Sequence, residues 1–452
     1  MSPNDSEPFH GTGSQRPDEV FPPLVLATIL REYGITGVQS YINRLRLYLG
    51  ERGIDTTLVT PFSWRRPLTV PVFGFRLALQ RFSRPASTAW YWRWHEVFLR
   101  NALRQRLADV GDCIIYAQDP LAARAALRAR QGTHQRVVMA VHLRISMADE
   151  WADKNQITHG GNVFRAMRQL ERDVIPKLDG LVYVSRWARD ALLNWLPEAD
   201  QVPSAVIGCM VTPLREKPAQ ESLGDLVTIG NLDIVKNHRF LLAVLAEAKR
   251  AGRSFTLDVF GEGPLRNDLL QQTHSLGLAD QVRFRGFQPD VRNLLPGYRT
   301  YVHACYSESF CLAVVEAMAA GLPVVVGNVG PISELCDDGV EARFWPLDNP
   351  AKAATILIDL LDCEPARLKA ASSASERFRR EFDADLIVPR LLSFLQERFR
   401  GASAPSWEGR EEAERHIATV DIPLTLGKCS GRSAKCRLML STSLDLLTDA
   451  RT

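Results

Sequence analysis

The sequence predicts an α/β protein made of two doubly wound parallel sheets that face each other across a cleft. Short apolar β-rich runs alternate with amphipathic helical segments from residue 21 to about residue 200. After a break, the same alternation returns between residues 226 and 385. Strands separated by helices form parallel sheets, because each helix carries the chain back to the same edge. A chain of 452 residues has room for two or three domains, each with its own core.

The first domain is expected over residues 21–205. It opens with a strand at 24–28, and Gly37 then begins a helix that runs to about residue 51. Gly53 ends this helix before the next strand. Further buried strands are predicted at residues 56–60, 113–117, 137–141 and 180–184.

The second domain is expected over residues 223–385. It is preceded by a linker at 206–222, where Pro213 and Pro218 stand among polar residues. Residues 386–400 form one more amphipathic helix. The terminal segments 1–20 and 401–452 have little apolar order, and both are expected to be disordered or poorly ordered.

The composition is that of a globular protein, with 46% hydrophobic and 24% charged residues. A formal charge of +3 is too small to indicate a nucleic-acid partner. Residues 1–19 have no apolar core of the signal-peptide kind, and no apolar run is long enough to span a bilayer. We therefore expect a cytoplasmic protein. Its eight cysteines are scattered, which is typical of free thiols in a reducing compartment.

The most informative segment places two carboxylates, Glu308 and Glu316, eight positions apart around a strand-to-helix turn. The turn brings Phe310, Cys311 and Leu312 to the helix start, where unpaired amides and the helix dipole favour a phosphate. One carboxylate is then placed to accept from hydroxyls of a sugar, and the other from a ribose. An ordinary solvated pair is the alternative.

This segment continues as Glu-Ala-Met-Ala and then Gly-Leu-Pro-Val, at residues 316–319 and 321–324. In this order the motifs resemble the retaining glycosyltransferases of family four, also called glycosyl transferases group 1. The resemblance covers roughly residues 22–400. It implies the GT-B fold, with residues 386–400 crossing back to the first domain. It also implies a metal-independent, hexosyltransferase-type enzyme with no cofactor, whose donor is a nucleotide-diphosphate sugar.

The loop after the strand at 226–230 matches the family's Gly-Arg…Lys loop, whose two cations hold the donor diphosphate. Gly230 and Lys236 match this pattern, whereas Asn231 stands at the arginine position. An amide lacks the charge and the two-pronged geometry of a guanidinium. The resemblance therefore assigns the diphosphate mainly to Lys236 and the helix start. A solvated lysine is the alternative.

Three further glycines resemble glycines of the family near its donor. Gly261 and Gly263 match a Gly-x-Gly-Pro turn beside the nucleotide, and Gly37 matches a glycine loop in the first domain. A tight turn and a helix cap are the alternatives. His142 ends the strand at 137–141, where α/β proteins place ligand-binding residues. It matches a histidine that contacts the transferred sugar, although a structural role is equally compatible.

The resemblance assigns catalytic roles to His142 and Glu308. It implies that Glu308 binds the hydroxyls of the sugar and that Glu316 binds the ribose. Cys311 replaces a family glycine, so its side chain is expected to narrow the turn and to alter sugar choice. Family analogy points to a glycan or lipid-linked acceptor and to bacterial polysaccharide biosynthesis. Residues 76–106 combine tryptophans with arginines, so this helical stretch either docks on the inner membrane or packs in the core.

Several chemistries are disfavoured by missing motifs. The sequence has no P-loop, no zinc-type spacing and no Gly-x-Ser-x-Gly elbow. A third glycine of the dinucleotide fingerprint is replaced by Arg266, which weakens a dehydrogenase interpretation. A nucleotide-sugar epimerase with the same fold and a non-catalytic nucleotide-sugar-binding protein remain as alternatives.

Overall fold

The computed structural model describes residues 21–34, 36–64, 66–214 and 222–401. The predicted segment 1–20, the tail beyond Gly401 and residues 215–221 of the predicted linker lie outside the described residues.

The described residues of the first domain form a parallel sheet of six strands, in the order β2-β1-β3-β4-β5-β6. The strands are β1 Leu24–Ala27, β2 Thr56–Val59, β3 Cys113–Ala117, β4 Gln135–Val141, β5 Gly180–Tyr183 and β6 Ser204–Val206. The first four helices are α1 Gly37–Gly50, α2 Arg66–Phe82, α3 Arg84–Val110 and α4 Pro120–Ala129. Three more follow, namely α5 Met147–Asp153, α6 Asn162–Val174 and α7 Arg186–Trp195.

A second parallel sheet of six strands follows, in the order β12-β11-β10-β7-β8-β9. Its strands are β7 Gly224–Ile229, β8 Leu257–Phe260, β9 Val282–Gly286, β10 Tyr298–His303, β11 Val324–Val326 and β12 Ala342–Phe344. The helices are α8 His238–Arg250, α9 Arg266–Ser275, α10 Leu312–Ala319, α11 Ile332–Leu335, α12 Pro350–Asp362, α13 Glu364–Glu381 and α14 Ala384–Arg400. The predicted α/β architecture of two doubly wound parallel sheets is confirmed.

Helix α14 begins at Ala384, capped by the Asp383 side chain, and it packs against β3 and β4 of the first sheet. The chain therefore returns to the first domain after completing the second. One hydrophobic cluster joins the two halves, since it contains Val184 of the first domain together with Phe310 and Phe382.

The stretch 76–106 is not one helix. Ser83 caps α3 with its hydroxyl, and Pro85 stands in the first turn of α3, so the chain breaks between α2 and α3. Trp92 is fully buried, and Trp90 donates to the carbonyl of Val72. Among the described residues, no helix is both long and apolar enough to cross a membrane.

Candidate active site

Lys236 and Glu308 meet at the switch point of the second sheet. Lys236 follows β7 and Glu308 follows β10, and these two strands are neighbours from which the chain winds in opposite directions. Loops at such a point open a crevice at the carboxyl edge of the sheet. The Lys236 ammonium donates a short hydrogen bond to Glu308 Oε1. The two side chains are 25% and 13% exposed, so the pair is sheltered but open to a ligand.

The pair is held in its charged form. Burial on its own raises the pKa of Glu308, but Lys236 and His303 outweigh it, so the pKa of Glu308 is lowered. Burial is the largest single influence on Lys236 and lowers its pKa, but the Glu308 carboxylate and other nearby groups together outweigh burial, so the pKa of Lys236 is raised. The site therefore keeps an ammonium and a carboxylate throughout the neutral pH range.

His303, which sequence reasoning missed, lies beside this pair. Its Nε2 is 3.1 Å from Glu308 Oε1 and 3.4 Å from the Cys311 sulfur, and its Nδ1 is 3.4 Å from the Tyr301 hydroxyl. Burial lowers the pKa of His303, so the ring is neutral. His303, Glu308 and Cys311 form the one group among the described residues that is close enough to hold a metal ion. The signal that would have found His303 is its place at the end of a central parallel strand.

Cys311 stands at the N-cap of α10 in the left-handed region, with φ of 74°. The side chain of this residue does not cap the helix, so amides at the start of α10 are available to an anion. The next residue, Leu312, lies against the first domain, because a Cβ on Gly37 would stand 3.6 Å from its Cδ1. The first turns of α1 and α10 thus approach each other across the cleft.

Helix α1 is well defined at this end. Thr36 accepts from the Gln39 amide, and the Gln39 side chain in turn accepts from the Thr36 amide. This reciprocal capping fixes the first turn and with it Gly37. The structure therefore brings Gly37 to the cleft opposite the second domain.

Gly261 and Gly263 pack the second-domain loops together. A Cβ on Gly261 would lie 2.0 Å from the carbonyl oxygen of Gly230, and one on Gly263 would lie 2.4 Å from that of Leu232. Only glycine permits such an approach of two backbones. Their observed contacts shape the loop that carries Lys236, whose side chain runs over Gly230.

Asn231 is half-buried in the same loop, and its carbonyl accepts from the Asp233 amide. The Asp233 carboxylate accepts from the Lys236 amide at 3.1 Å, which holds the loop in a turn. Asn237 then adopts a left-handed conformation before α8. Helices α8 and α10 are thus both entered through a left-handed residue.

Glu316, predicted for the ribose, is paired with Arg44 of the first domain. Arg292 lies nearby, and its pKa is lowered by burial and then by Arg44. Phe310 is buried between the domains, with its ring against Gly208 and 6.3 Å from the ring of Phe382. The side chains of Glu316 and Phe310 therefore join the two domains in this structure.

His142 lies at the end of β4. Its Nε2–H donates to the Gln118 amide oxygen at 3.1 Å, and its ring stands edge-on to Tyr41 at 5.4 Å. Burial lowers the pKa of His142 to about 4, so the ring is neutral at pH 7. Its observed partners belong to the first domain, whereas Lys236, Glu308 and Cys311 cluster in the second.

Two further polar residues at strand ends, Asp119 and Ser185, have structural partners. Asp119 caps α4 and also accepts from the Ile29 amide, which ties β3 to the end of β1. Burial raises the pKa of Asp119 to about 6. Ser185 donates to the Ser309 carbonyl at 2.8 Å, and the next two amides donate to Glu334 of the second domain. Sequence reasoning missed Glu334, since such a contact between domains leaves no local signal.

The comparisons with protein families identify both domains. The family described as glycosyl transferases group 1 matches residues 214–377, and the glycosyl transferase 4-like domain matches residues 36–209. Together the two matches cover most of the described chain.

Curated relatives carry related names. The chain is 23% identical to a glycogen synthase of Mycobacterium tuberculosis over 298 residues, which cover 65% of this chain and 70% of that protein. It is 34% identical to D-inositol 3-phosphate glycosyltransferase 2 of Catenulispora acidiphila, over 34% of this chain and 40% of that one. A putative glycosyltransferase of Bacillus subtilis, EpsF, is 31% identical to this chain over 28% of this chain and 33% of EpsF.

Solved structures share the fold at low sequence identity. Anabaena HepE in complex with UDP and glucose aligns with a TM-score of 0.61 and 19% identity, covering 83% of this chain and all of that one. TarM of S. aureus aligns with a TM-score of 0.55 and 17% identity, covering 66% of this chain but 58% of TarM. These alignments confirm the predicted GT-B fold. On its two domain matches and its fold, the chain belongs to the group 1 glycosyltransferases of the family-four type.

Proposed function

We propose that the chain transfers a sugar from a nucleotide-diphosphate sugar to a glycan or lipid-linked acceptor, with retention of anomeric configuration. The observation that carries the proposal is the charged Lys236–Glu308 pair beside the start of α10, at the switch point of the second sheet. HepE, which shares the fold, is known in complex with UDP and glucose.

The cationic side of the pair receives the diphosphate. An ammonium has three donors, so Lys236 can keep its bond to Glu308 and still donate to a phosphate oxygen. Amides at the start of α10 supply further donors and the positive end of a helix dipole. These groups stabilise the charge that develops on the departing diphosphate, so the transfer needs no metal ion.

The carboxylates orient the donor. Glu308 accepts hydrogen bonds from hydroxyls of the transferred sugar. Glu316 accepts hydrogen bonds from the ribose hydroxyls, either beside its salt bridge to Arg44 or after that salt bridge has opened. His142, being neutral, contacts the sugar as a hydrogen-bonding group rather than as a cation. Cys311 narrows the turn where the family has glycine, which restricts the sugars that fit.

The test is a screen of UDP-, GDP-, ADP- and dTDP-sugars for thermal stabilisation and for release of the nucleoside diphosphate, carried out in EDTA. One nucleotide is expected to stabilise the protein, with slow release that is lost in Lys236→Ala and Glu308→Ala. Lys249→Ala is the matched control, because this lysine of the same domain donates to the Gly277 carbonyl. NMR of the glycosylated product then reads the anomeric configuration.

Other outcomes separate the alternatives. Binding without turnover favours a non-catalytic nucleotide-sugar-binding protein, to which Asn231 at the arginine position points. Isomerised nucleotide sugar without diphosphate release favours an epimerase. No stabilisation by any nucleotide sugar, or full activity in Lys236→Ala, contradicts the proposal.

For a lipid-linked acceptor we propose that helix α2 docks on an anionic bilayer. Leu77 and Phe82 of α2 are 71% and 86% exposed, which is unusual for large apolar side chains. Residues 56–95 contain six arginines and no acidic residue, so the charge of this region complements anionic lipid. The docking surface thus lies at the start of the predicted stretch 76–106 and extends back along α2.

Vesicle co-sedimentation tests this surface. The protein is expected to bind phosphatidylglycerol vesicles more tightly than phosphatidylcholine vesicles, and the double variant Leu77→Ser/Phe82→Ser is expected to lose this binding. Leu47→Ser is the matched control, because Leu47 is 69% exposed on a different helix. Equal sedimentation of the double variant and the control would contradict the docking surface.

A further inference from the structure

We infer that His303, Glu308 and Cys311 form a binding site for a zinc-class divalent cation, and that the bound ion inhibits the enzyme. The three side chains offer one nitrogen, one oxygen and one sulfur, and these atoms all lie within 4.8 Å of one another. Zinc binds this mixture of ligands in proteins.

Two of the three distances between ligand atoms are close to those of a tetrahedral site. With Zn–N and Zn–O near 2.05 Å and Zn–S near 2.3 Å, tetrahedral angles place the ligand atoms roughly 3.3–3.6 Å apart. In the structure His303 Nε2 is 3.1 Å from the Glu308 oxygen and 3.4 Å from the Cys311 sulfur. Small side-chain shifts are enough to admit an ion, and the fourth position is left for water.

His303 also has the outer contact that a metal-binding histidine uses. For Nε2 to coordinate a metal, the ring proton must sit on Nδ1 and find an acceptor. The Tyr301 hydroxyl lies 3.4 Å from Nδ1 and itself donates to the Ile229 carbonyl. In the ion-free protein Nε2 faces the Glu308 carboxylate and carries the ring proton; when the ion takes Nε2, the Tyr301 hydroxyl is in place to accept the proton that then sits on Nδ1.

Cys311 makes the site specific to this chain. A residue with a Cβ is strained in the left-handed region, where glycine is not, yet the chain holds a cysteine there with φ of 74°. That backbone directs the sulfur to within 3.4 Å of the His303 ring. When the ion binds, a Zn–S bond forms, the S–H bond breaks and the proton leaves to solvent.

Lys236 competes with the ion for Glu308. Its ammonium bonds the same carboxylate oxygen that lies near His303, so a divalent cation and the ammonium repel each other at this position. The Lys236 side chain is 25% exposed and can swing toward the cleft. Binding of the ion therefore breaks the Lys236–Glu308 salt bridge and displaces the Lys236 ammonium, which is proposed to hold the diphosphate.

This inhibition rests on the proposed function, whereas binding of the ion does not. The two are therefore measured separately. Calorimetry with ZnCl2 and the full chain, freed of metal by chelator, is expected to show tight binding that weakens at least tenfold in Cys311→Ser and His303→Gln. Titration with Co2+ is expected to give a thiolate-to-metal absorption band that is absent in Cys311→Ser.

Cys336→Ser is the matched control, because this buried cysteine of the second domain lies outside the group of three ligands and its thiol donates to the Ile332 carbonyl. It should bind both ions as wild type does. The absence of Zn2+ binding, or wild-type binding and absorption in Cys311→Ser, overturns the site. If binding follows the prediction but diphosphate release is unchanged by Zn2+, the inhibition is overturned and the site stands. If the protein releases no diphosphate at all, the proposed function fails and calorimetry still decides the site.

Discussion

Left-handed residues stand immediately before two helices of the active site. Asn237 precedes α8 and Cys311 precedes α10, with φ of 51° and 74°. Asparagine tolerates this conformation better than most residues, but cysteine has no such advantage. The turn at Cys311 therefore stores backbone strain beside the charged pair.

This strain predicts that glycine is more stabilising than alanine at position 311, the reverse of their order inside a helix. Cys311→Gly and Cys311→Ala both remove the sulfur, so they differ mainly in backbone freedom. We expect the glycine variant to be more stable by about 1 kcal/mol, because alanine keeps the left-handed strain. Denaturant unfolding measures the difference. In Ala313→Gly, at the second residue of α10, glycine should instead destabilise by about 0.5–1 kcal/mol, because this residue has helical conformation. An alanine variant at 311 as stable as the glycine variant would contradict the strain.

The charged pair predicts non-additive stability. Lys236→Met or Glu308→Gln alone leaves its partner uncompensated, at a cost of about 1–3 kcal/mol for a pair that is partly open to solvent. The double variant should cost less than the sum of the two, while still failing to bind donor. A double-mutant cycle by chemical denaturation measures the coupling. Additive costs would show that the two groups do not interact.

The sequence predicted Lys236 and Glu308 as site residues, but not that they pair with each other, and not their surroundings. Lys236 and Glu308 lie in motifs at strand ends, and the structure brings them into contact. His303 and Arg44 were missed, because their importance comes from packing across strands and across domains. The assigned roles of His142 and Glu316 in catalysis and ribose binding stay predictions.

The loops after β7 and β8 hold each other in position through close backbone contacts. Gly261 and Gly263 admit the carbonyls of Gly230 and Leu232 at distances that no Cβ allows. The Leu232 amide also donates to the Glu262 carbonyl, which ties the two turns together. The loop that carries Lys236 is therefore positioned by a neighbouring turn rather than by its own sequence.

Gly261→Ala is predicted to disturb this arrangement. Its Cβ would meet the Gly230 carbonyl at 2.0 Å, so the turn must move and Lys236 with it. We expect a loss of roughly 2–4 kcal/mol from overpacking and backbone strain, together with weaker donor binding. Gly252→Ala is the control, because Gly252 has positive φ but open space around it. Calorimetric donor binding and denaturation measure both effects, and equal losses in the two variants would contradict the close approach.

Strands were predicted more closely than helices. Strand β3 agrees with its prediction at both ends, since a run of buried apolar residues defines a central parallel strand. The stretch 76–106, which combines tryptophans with arginines, was expected to be an aromatic and basic helix. The break at Ser83 depends on a cap and a following proline, which composition does not reveal.

The whole molecule is held together by contacts between its domains. Asp385 of α14 accepts from Tyr48 and Arg52 of the first domain, while Glu334 accepts from the first amides of α7. Arg44 reaches Glu316 in the same way. The sequence predicted two domains, but it carries no local signal for these long-range pairs. The cytoplasmic location expected from the sequence stays a prediction.

Buried neutral histidines predict acid sensitivity of the whole fold. Burial lowers the pKa of His95 to about 3, so between pH 6.5 and 3 the unfolded chain takes up a proton that the folded chain does not. Stability should therefore fall by about 1.4 kcal/mol per pH unit below pH 6.5 on account of this residue. His95→Phe, which suits the neighbouring rings of Phe62 and Phe73, should flatten the decline. Unfolding at several pH values measures both slopes, and parallel slopes would contradict the assignment.

The donor diphosphate is proposed to bind where Lys236 meets the start of α10. A crystal structure of the protein with the nucleotide sugar identified by the screen tests it most directly. We expect a phosphate oxygen within about 3 Å of Lys236 Nζ and of an amide at the start of α10, with a sugar hydroxyl bound to Glu308. A donor bound elsewhere, with Lys236 still paired only to Glu308, would contradict it.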